Sequence, residues 1–213
     1  MEFSHENEAC VLGAGFRALS PASADGTVSE RPAGERILAA ARELFCRDGI
    51  HATGIDRILA AAGASKMALY ARFGSKDALV QEVLLREGAA WREAFFAELA
   101  QAGPDPMTQL LAVVPALGAW FDSGRFYGCS FMNAAAEHSK GEPHLRALAV
   151  EHHRLIRERL TAIAQAAGVP APAKVARQIM LLLDGVIASL MVAGDPSVLE
   201  VAGDNLRGIV GRG

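Results

Sequence analysis

Cysteine is nearly absent from this chain. Cys10, Cys46 and Cys129 stand far apart in 213 positions. That spacing excludes a disulfide framework and a paired thiolate metal site, and it suits a reducing cytoplasm. Aromatic residues are scarce too, at 6%, so the place of each large ring carries information. Long apolar runs are missing. The most apolar stretch, Ile179 to Ala193, is interrupted by Asp184 and Gly185. It falls short of the roughly 20 residues that a bilayer span needs, so it is expected to be a buried helix, with no membrane partner. The acidic N-terminus has no apolar core segment, and no signal peptide is expected. β-Branched alternation and internal repeats are absent, which argues against sheets and solenoids. No nucleophile–base–orienter set or phosphate-cradling glycine loop is visible, so neither an enzyme nor a cofactor is expected.

Helical periodicity is abundant. Apolar residues make up 51% of the chain, enough for a sizeable core, and an all-α fold is expected. Residues 1 to 31 lack a helical period and are rich in Ser, Gly, Ala and Pro, which predicts a flexible tail. A three-helix head is expected over 32–78 and a larger helical body over 79–213. In the head, Ile37, Ala41, Leu44 and Phe45 recur on one face of a helix from Ala33 to Asp48. Thr53 opens T-G-I-D, a capping-box pattern in which Thr53 caps and Asp56 reaches back. A second helix follows from Gly54 to Ala61. Gly63 permits a sharp turn, and Ser65 is a natural N-cap for a third helix ending near Phe73. Ser75 starts a long fourth helix that runs to Ala102, where Gly103-Pro104-Asp105-Pro106 stops it. Further helices are expected at 107–122, 130–140, 143–167, 172–193 and 196–210.

Two short helices joined by a tight turn suit duplex DNA, because one can brace on the backbone while the other enters the major groove. Charge agrees. The whole chain is at −3, yet Arg31 to Lys76 holds eight Lys/Arg against four acids. A basic head on an acidic body is the footprint of a protein that meets phosphates at one end. On the third helix Leu69 and Phe73 should face inward. Met67 and Ala71 should point outward, flanked by Ala68 and Tyr70, with Lys66 and Arg72 at the margins. Lys66 can reach a guanine, Met67 can pack on a thymine methyl, and Tyr70 offers a phosphate its hydroxyl. Lys76 adds charge to the amide donors at the start of the fourth helix.

The run G-x-S-x-x-x-L-Y-x-x-F-x-S-K-D-x-L, formed by Gly63, Ser65, Leu69, Tyr70, Phe73, Ser75, Lys76, Asp77 and Leu79, resembles the signature of the TetR family of transcriptional regulators. With the first helix the resemblance covers residues 33 to 80. It implies a homodimeric, usually repressing regulator with an operator-binding head and a C-terminal body that binds a small-molecule effector. Carried over by position, it puts Lys66, Met67, Ala68, Tyr70 and Arg72 at the DNA and Lys76 on a phosphate, and Ser65, at the start of the same helix, is a further DNA-binding candidate. Many members have Thr where this chain has Gly54, so Thr53, one residue earlier, is a displaced candidate for the phosphate contact. A transcriptional activator of the same fold is the alternative, and a helical enzyme or a protein-interaction module are the more distant ones.

The body carries weaker signals. Tyr127 to Glu137 resembles a G-C-x-F-x-N-A-A-x-E run found in one TetR subgroup, which narrows the subgroup and not the effector. The helix over 172–193 and the last helix, with Val198, Val201, Leu206 and Ile209, suit a four-helix interface between two subunits. Several polar groups fall in apolar settings: His152, Asp184, and the pair Asn133 and Glu137. With Trp91, Phe95, Trp120, Phe121, Phe126 and Met132 they are the candidates for an effector cavity; the alternative for each is an ordinary core or surface role. Cys129 is expected to be a small buried side chain and not a redox sensor. Glu137, His138, His144, His152 and His153 lack a compact ligand spacing, so no metal is expected.

Overall fold

The computed structural model describes residues 31–137 and 143–211. The N-terminal tail expected over 1–31, Arg31 excepted, lies outside these, as does the C-terminal part of the helix expected over 130–140. Among the described residues there are ten α-helices and no strands. In chain order they are α1 (Ala33–Asp48), α2 (Ile55–Ala62), α3 (Lys66–Phe73), α4 (Lys76–Gln101), α5 (Pro106–Leu111), α6 (Val113–Trp120), α7 (Ser130–Glu137), α8 (Pro143–Ala166), α9 (Pro172–Ala193) and α10 (Val198–Gly211).

The predicted bounds hold to within a residue or two for most helices, and the departures have local causes. The helix expected over 107–122 is divided after Leu111, because Pro115 has no amide to offer the Leu111 carbonyl and its ring crowds that oxygen. It then ends in a π-helical turn over Phe121–Arg125, where Gly124 takes φ +70°. Asp105 starts α5 by accepting from the Thr108 amide at 2.9 Å. The residue before α2 is Gly54 and not the expected cap Thr53.

Contacts divide the chain into two compact units that do not follow chain order. Among the described residues one, the head unit, contains 31–90, 129–137 and 143–152; the other contains 91–128 and 153–211. The first division falls at 90/91 and not at the expected 78/79; both positions lie within the one unbroken 26-residue helix α4.

The head unit has its own core. Ile37, Leu38, Ala41, Leu44 and Phe45 of α1 meet Ile58 and Ala62 of α2, Leu69 of α3, and Leu79, Val80, Val83 and Leu84 of α4. Phe131 and Ala134 of α7 and Leu145 of α8 join the same cluster. In the body unit, α9 packs on α10, and α10 packs on α5 and α6. The buried residues of α9 (Val175, Ala176, Ile179, Met180, Leu183, Val186, Ile187 and Leu190) recur at three- and four-residue spacing, the stripe of a helix covered on one side. By length and composition alone α9 is apolar enough to cross a membrane. One side of it forms the buried stripe, and the other presents exposed Leu181 and Val192.

Candidate nucleic-acid interface

The turn before α3 is built from glycine and an N-cap. Gly63 adopts the left-handed conformation at φ +55°, which a residue with a Cβ takes only at a cost. Ser65 Oγ accepts from the Ala68 amide at 3.2 Å and starts α3. Ser75 does the same for α4, accepting from the Ala78 amide at 3.0 Å. Both caps agree with the sequence.

α3 is about 12 Å long at 1.5 Å per residue, close to the width of a major groove. Leu69 is its one fully buried residue and Phe73 is half-buried beside it. Lys66, Met67, Tyr70, Ala71 and Arg72 are exposed, Met67 to 81%. Ala68 is half-buried against the head core, so it presents less outward surface than the helical wheel suggests.

Arg36 holds the same turn from α1. Its guanidinium donates to Ala62 O at 3.0 Å, Gly63 O at 2.9 Å and Arg31 O at 2.8 Å. A guanidinium presents a rigid fork of donors suited to the open carbonyls at the end of α2, and its charge complements the negative end of that helix. The pattern-based reading missed this residue, since one Arg on a polar helix face gives no sign of where its fork lands.

Thr53 requires correction. It is fully buried, and its hydroxyl donates to Gly49 O at 2.7 Å. The N-cap of α2 is Gly54, with no side-chain cap. Thr53 therefore ties the α1–α2 turn together and does not present its side chain to a phosphate. The T-G-I-D pattern misled because the same hydroxyl had a nearer backbone acceptor.

The excess of basic residues is also partly spent inside the head. Arg42 pairs with Glu87, Arg57 with Asp48 at 2.7 Å, and Arg47 with both Asp48 and Glu43. The Arg47 hydrogen bond, aided by Arg57, holds the Asp48 carboxyl below its ordinary range. Arg72 lies along α1, with its Cγ against Gly34, and its guanidinium sits 4.9 Å from the centre of the Phe73 ring. Lys76 donates to Ile50 O at 2.8 Å, which leaves two of its three ammonium protons for another acceptor.

The ten effector candidates do not fall in one unit. Trp91, Phe95, Trp120, Phe121 and Phe126 form a chain of rings in the body unit. Trp91 stacks on Phe95 at 4.7 Å and meets Trp120 edge-on at 5.4 Å, and Phe126 lies against both Trp120 and Phe121. Asp184 is in the same unit, 3.8 Å from His153 Nδ1. Half-burial raises its carboxyl above the ordinary range, and His153 opposes that shift. Met132, Asn133, Glu137 and His152 belong to the head unit. His152 is buried with its ring stacked on Phe131 at 4.1 Å, and the Glu137 carboxylate accepts from the His51 amide at 2.8 Å. Glu98, fully buried on α4, is a further polar residue that the sequence pattern did not single out. Its position one turn after Ala94 and Phe95 was the available signal. Among the described residues no cluster of His, Cys, Asp or Glu has the geometry of a metal site.

Comparison with known proteins finds relatives for both parts of the chain. A family model described as bacterial regulatory proteins, tetR family, matches residues 37–83. A second, described as tetracyclin repressor-like, C-terminal domain, matches residues 138–212. A stretch of 57 residues is 39% identical to the HTH-type transcriptional regulator UidR of Escherichia coli K12. That stretch is 27% of this chain and 29% of UidR, so the likeness spans less than a third of the relative. A TetR-family transcriptional regulator from Streptomyces coelicolor superposes with a TM-score of 0.76 at 27% identity, over 85% of this chain and 95% of that one. A tetR-type regulator from Streptomyces avermitilis gives 0.70 at 26%, over 85% and 99%. The reduced form of E. coli NemR shares the fold at 20% identity, with a TM-score of 0.72 over 84% and 97%.

Proposed function

The chain belongs to the TetR family of DNA-binding transcriptional regulators, and from that premise we propose that it is a cytoplasmic repressor that binds a palindromic operator as a homodimer and leaves it when a small-molecule effector binds. It is a regulator and not an enzyme. The observation that carries the reading is the division of α3 into a buried anchor, Leu69, and an exposed face of Lys66, Met67, Tyr70 and Arg72. In this reading that face enters the major groove. Lys66 supplies base recognition, Met67 an apolar contact, Tyr70 and Lys76 the phosphate contacts, and Ser65 the geometry of the helix start.

Dimerisation is assigned to the outer face of α9 and α10. Leu181 and Val192 on α9 and Val201 on α10 are exposed to 73%, 89% and 60%, an apolar surface that a monomer leaves in water. A two-fold interface pairs two reading heads with two half-sites. The effector is assigned to the body. The cluster around Trp91, Trp120 and Phe126 offers aromatic surface, and Asp184 with His153 offers the polar contacts that orient a ligand. The ligand releases DNA only in so far as it binds the released conformation better than the operator-bound one.

The test is selection of duplexes from a random-sequence library, followed by footprinting of the enriched site. A symmetric protected site whose affinity falls steeply with salt is expected. Failure to enrich any duplex at low ionic strength would refute the proposal.

A further inference from the structure

The Tyr127–Glu137 run has no part in the reading above. In the structure its helix belongs to the head. Phe131 and Ala134 of α7 are buried in the head core, and Cys129 packs beside them. Cys46 Sγ of α1 lies 4.0 Å from Ser130 Oγ. At the other end of α7, Glu137 Oε2 accepts from the His51 amide at 2.8 Å. The same carboxylate lies so near Gly49 that a Cβ there would meet Oε1 at 3.0 Å, and Gly49 has φ +87°.

The α1–α2 turn (residues 49–54) is thus tied at three successive residues, once from within and twice from outside. Gly49 O accepts from Thr53, Ile50 O accepts from Lys76 at 2.8 Å, and the His51 amide donates to Glu137. The Ile50 side chain is buried beneath them. This turn decides where α2 starts, and α2 leads through Gly63 into α3. We infer that Glu137 is a positioning residue for DNA reading: by holding the His51 amide it sets α2 and α3 relative to α1, and operator affinity depends on it although it touches no DNA. The inference rests on the proposal that α3 reads the operator.

Electrostatics makes the test decisive, because a simple charge effect has the opposite sign. A carboxylate on the head repels phosphates, so its removal alone would tighten binding to any duplex. A positioning role instead weakens binding to the selected sequence only. The experiment measures full-length Glu137→Ala and Glu137→Gln against two probes: a duplex enriched by the wild-type chain and a scrambled duplex of the same composition. Hydrogen exchange at the His51 amide is followed in parallel. Glu137→Ala is expected to bind the enriched duplex about ten-fold more weakly, the scale of one lost charge-assisted hydrogen bond, and the scrambled duplex no more weakly than wild type. The His51 amide should exchange faster. Glu137→Gln keeps an acceptor oxygen and should recover most of the affinity and the protection. If Glu137→Ala does not fold, the Gln variant and its exchange rate carry the comparison. Unchanged or tighter binding of both duplexes by Glu137→Ala would overturn the inference, as would unchanged His51 exchange. If the wild type enriches no duplex, the DNA-reading proposal fails by itself, and His51 exchange alone still decides whether Glu137 holds the turn.

Discussion

Some polar residues of the head hold the backbone and others face outward, with Lys76 proposed to do both, and substitution should separate the two roles. Arg36, Thr53 and Lys76 all donate to main-chain carbonyls, whereas Lys66 and Tyr70 are exposed on α3. Lys66→Ala should flatten base preference at one position of each half-site, by about 1–3 kcal/mol of discrimination if it pairs with a guanine. Tyr70→Phe should weaken binding to all sequences alike, because phosphates carry no base identity. Repeating the site selection with each variant checks both, and unaltered preference in Lys66→Ala would remove it from base recognition. Asp184 gives a pH signature in the body. Its carboxyl is raised in the folded state by half-burial, against the weaker pull of His153. A raised acid favours the protonated form when folded. No penalty exists below the ordinary Asp range; it grows between that range and the raised value, and it is complete above. Asp184→Asn should therefore melt higher than wild type at neutral pH, with the difference closing near pH 3. An equal or lower melting temperature at neutral pH would mean that the His153 contact outweighs the burial cost. Cys46 is not suited to redox sensing: burial pushes its thiol up to about 11, and the reactive thiolate is then scarce at neutral pH.

Among the helices of the head, α3 is the least anchored. It has eight residues and one fully buried side chain, whereas α1 buries five residues. A short helix draws its stability from packing and not from propensity. Leu69→Ala should cost about 2–5 kcal/mol, and the loss should fall on the head. Native-state hydrogen exchange would show α3 amides losing protection first while α9 and α10 amides stay protected. Uniform loss across both units would show instead that they unfold as one. By the same reasoning Ser65 and Ser75 matter beyond their size, since each satisfies an otherwise orphaned amide at the start of a helix that the proposed contact depends on.

For the whole molecule, the outer face of α9 and α10 is the feature that composition could not rank. A buried stripe and an exposed apolar face lie on the same helix α9, with Leu181 and Val192 outward. If that face pairs two copies, each substitution counts twice, and a buried Leu is worth roughly 1.5–3 kcal/mol. Leu181→Glu combined with Val192→Glu should sediment as a folded monomer and lose operator binding by orders of magnitude while keeping its helicity. A dimer that survives these changes would place the interface elsewhere.

The sequence by itself determined the helices, the Gly63 turn, the Ser65 and Ser75 caps and the inward side of α3. These depend on neighbours three or four residues away, and periodicity and capping chemistry record such contacts directly. Tertiary structure alone decided that Thr53 turns inward to Gly49 O, that Arg36 staples a turn 26 and 27 residues distant, and that α7 packs into the head with Glu137 on His51. A hydrogen-bonding side chain leaves no periodic trace of the partner it finds, because several backbone acceptors or donors lie within reach and only the packed chain selects among them. For the same reason the expected effector set was divided between two units: apolar context marks a residue as inward-facing but not which core it faces.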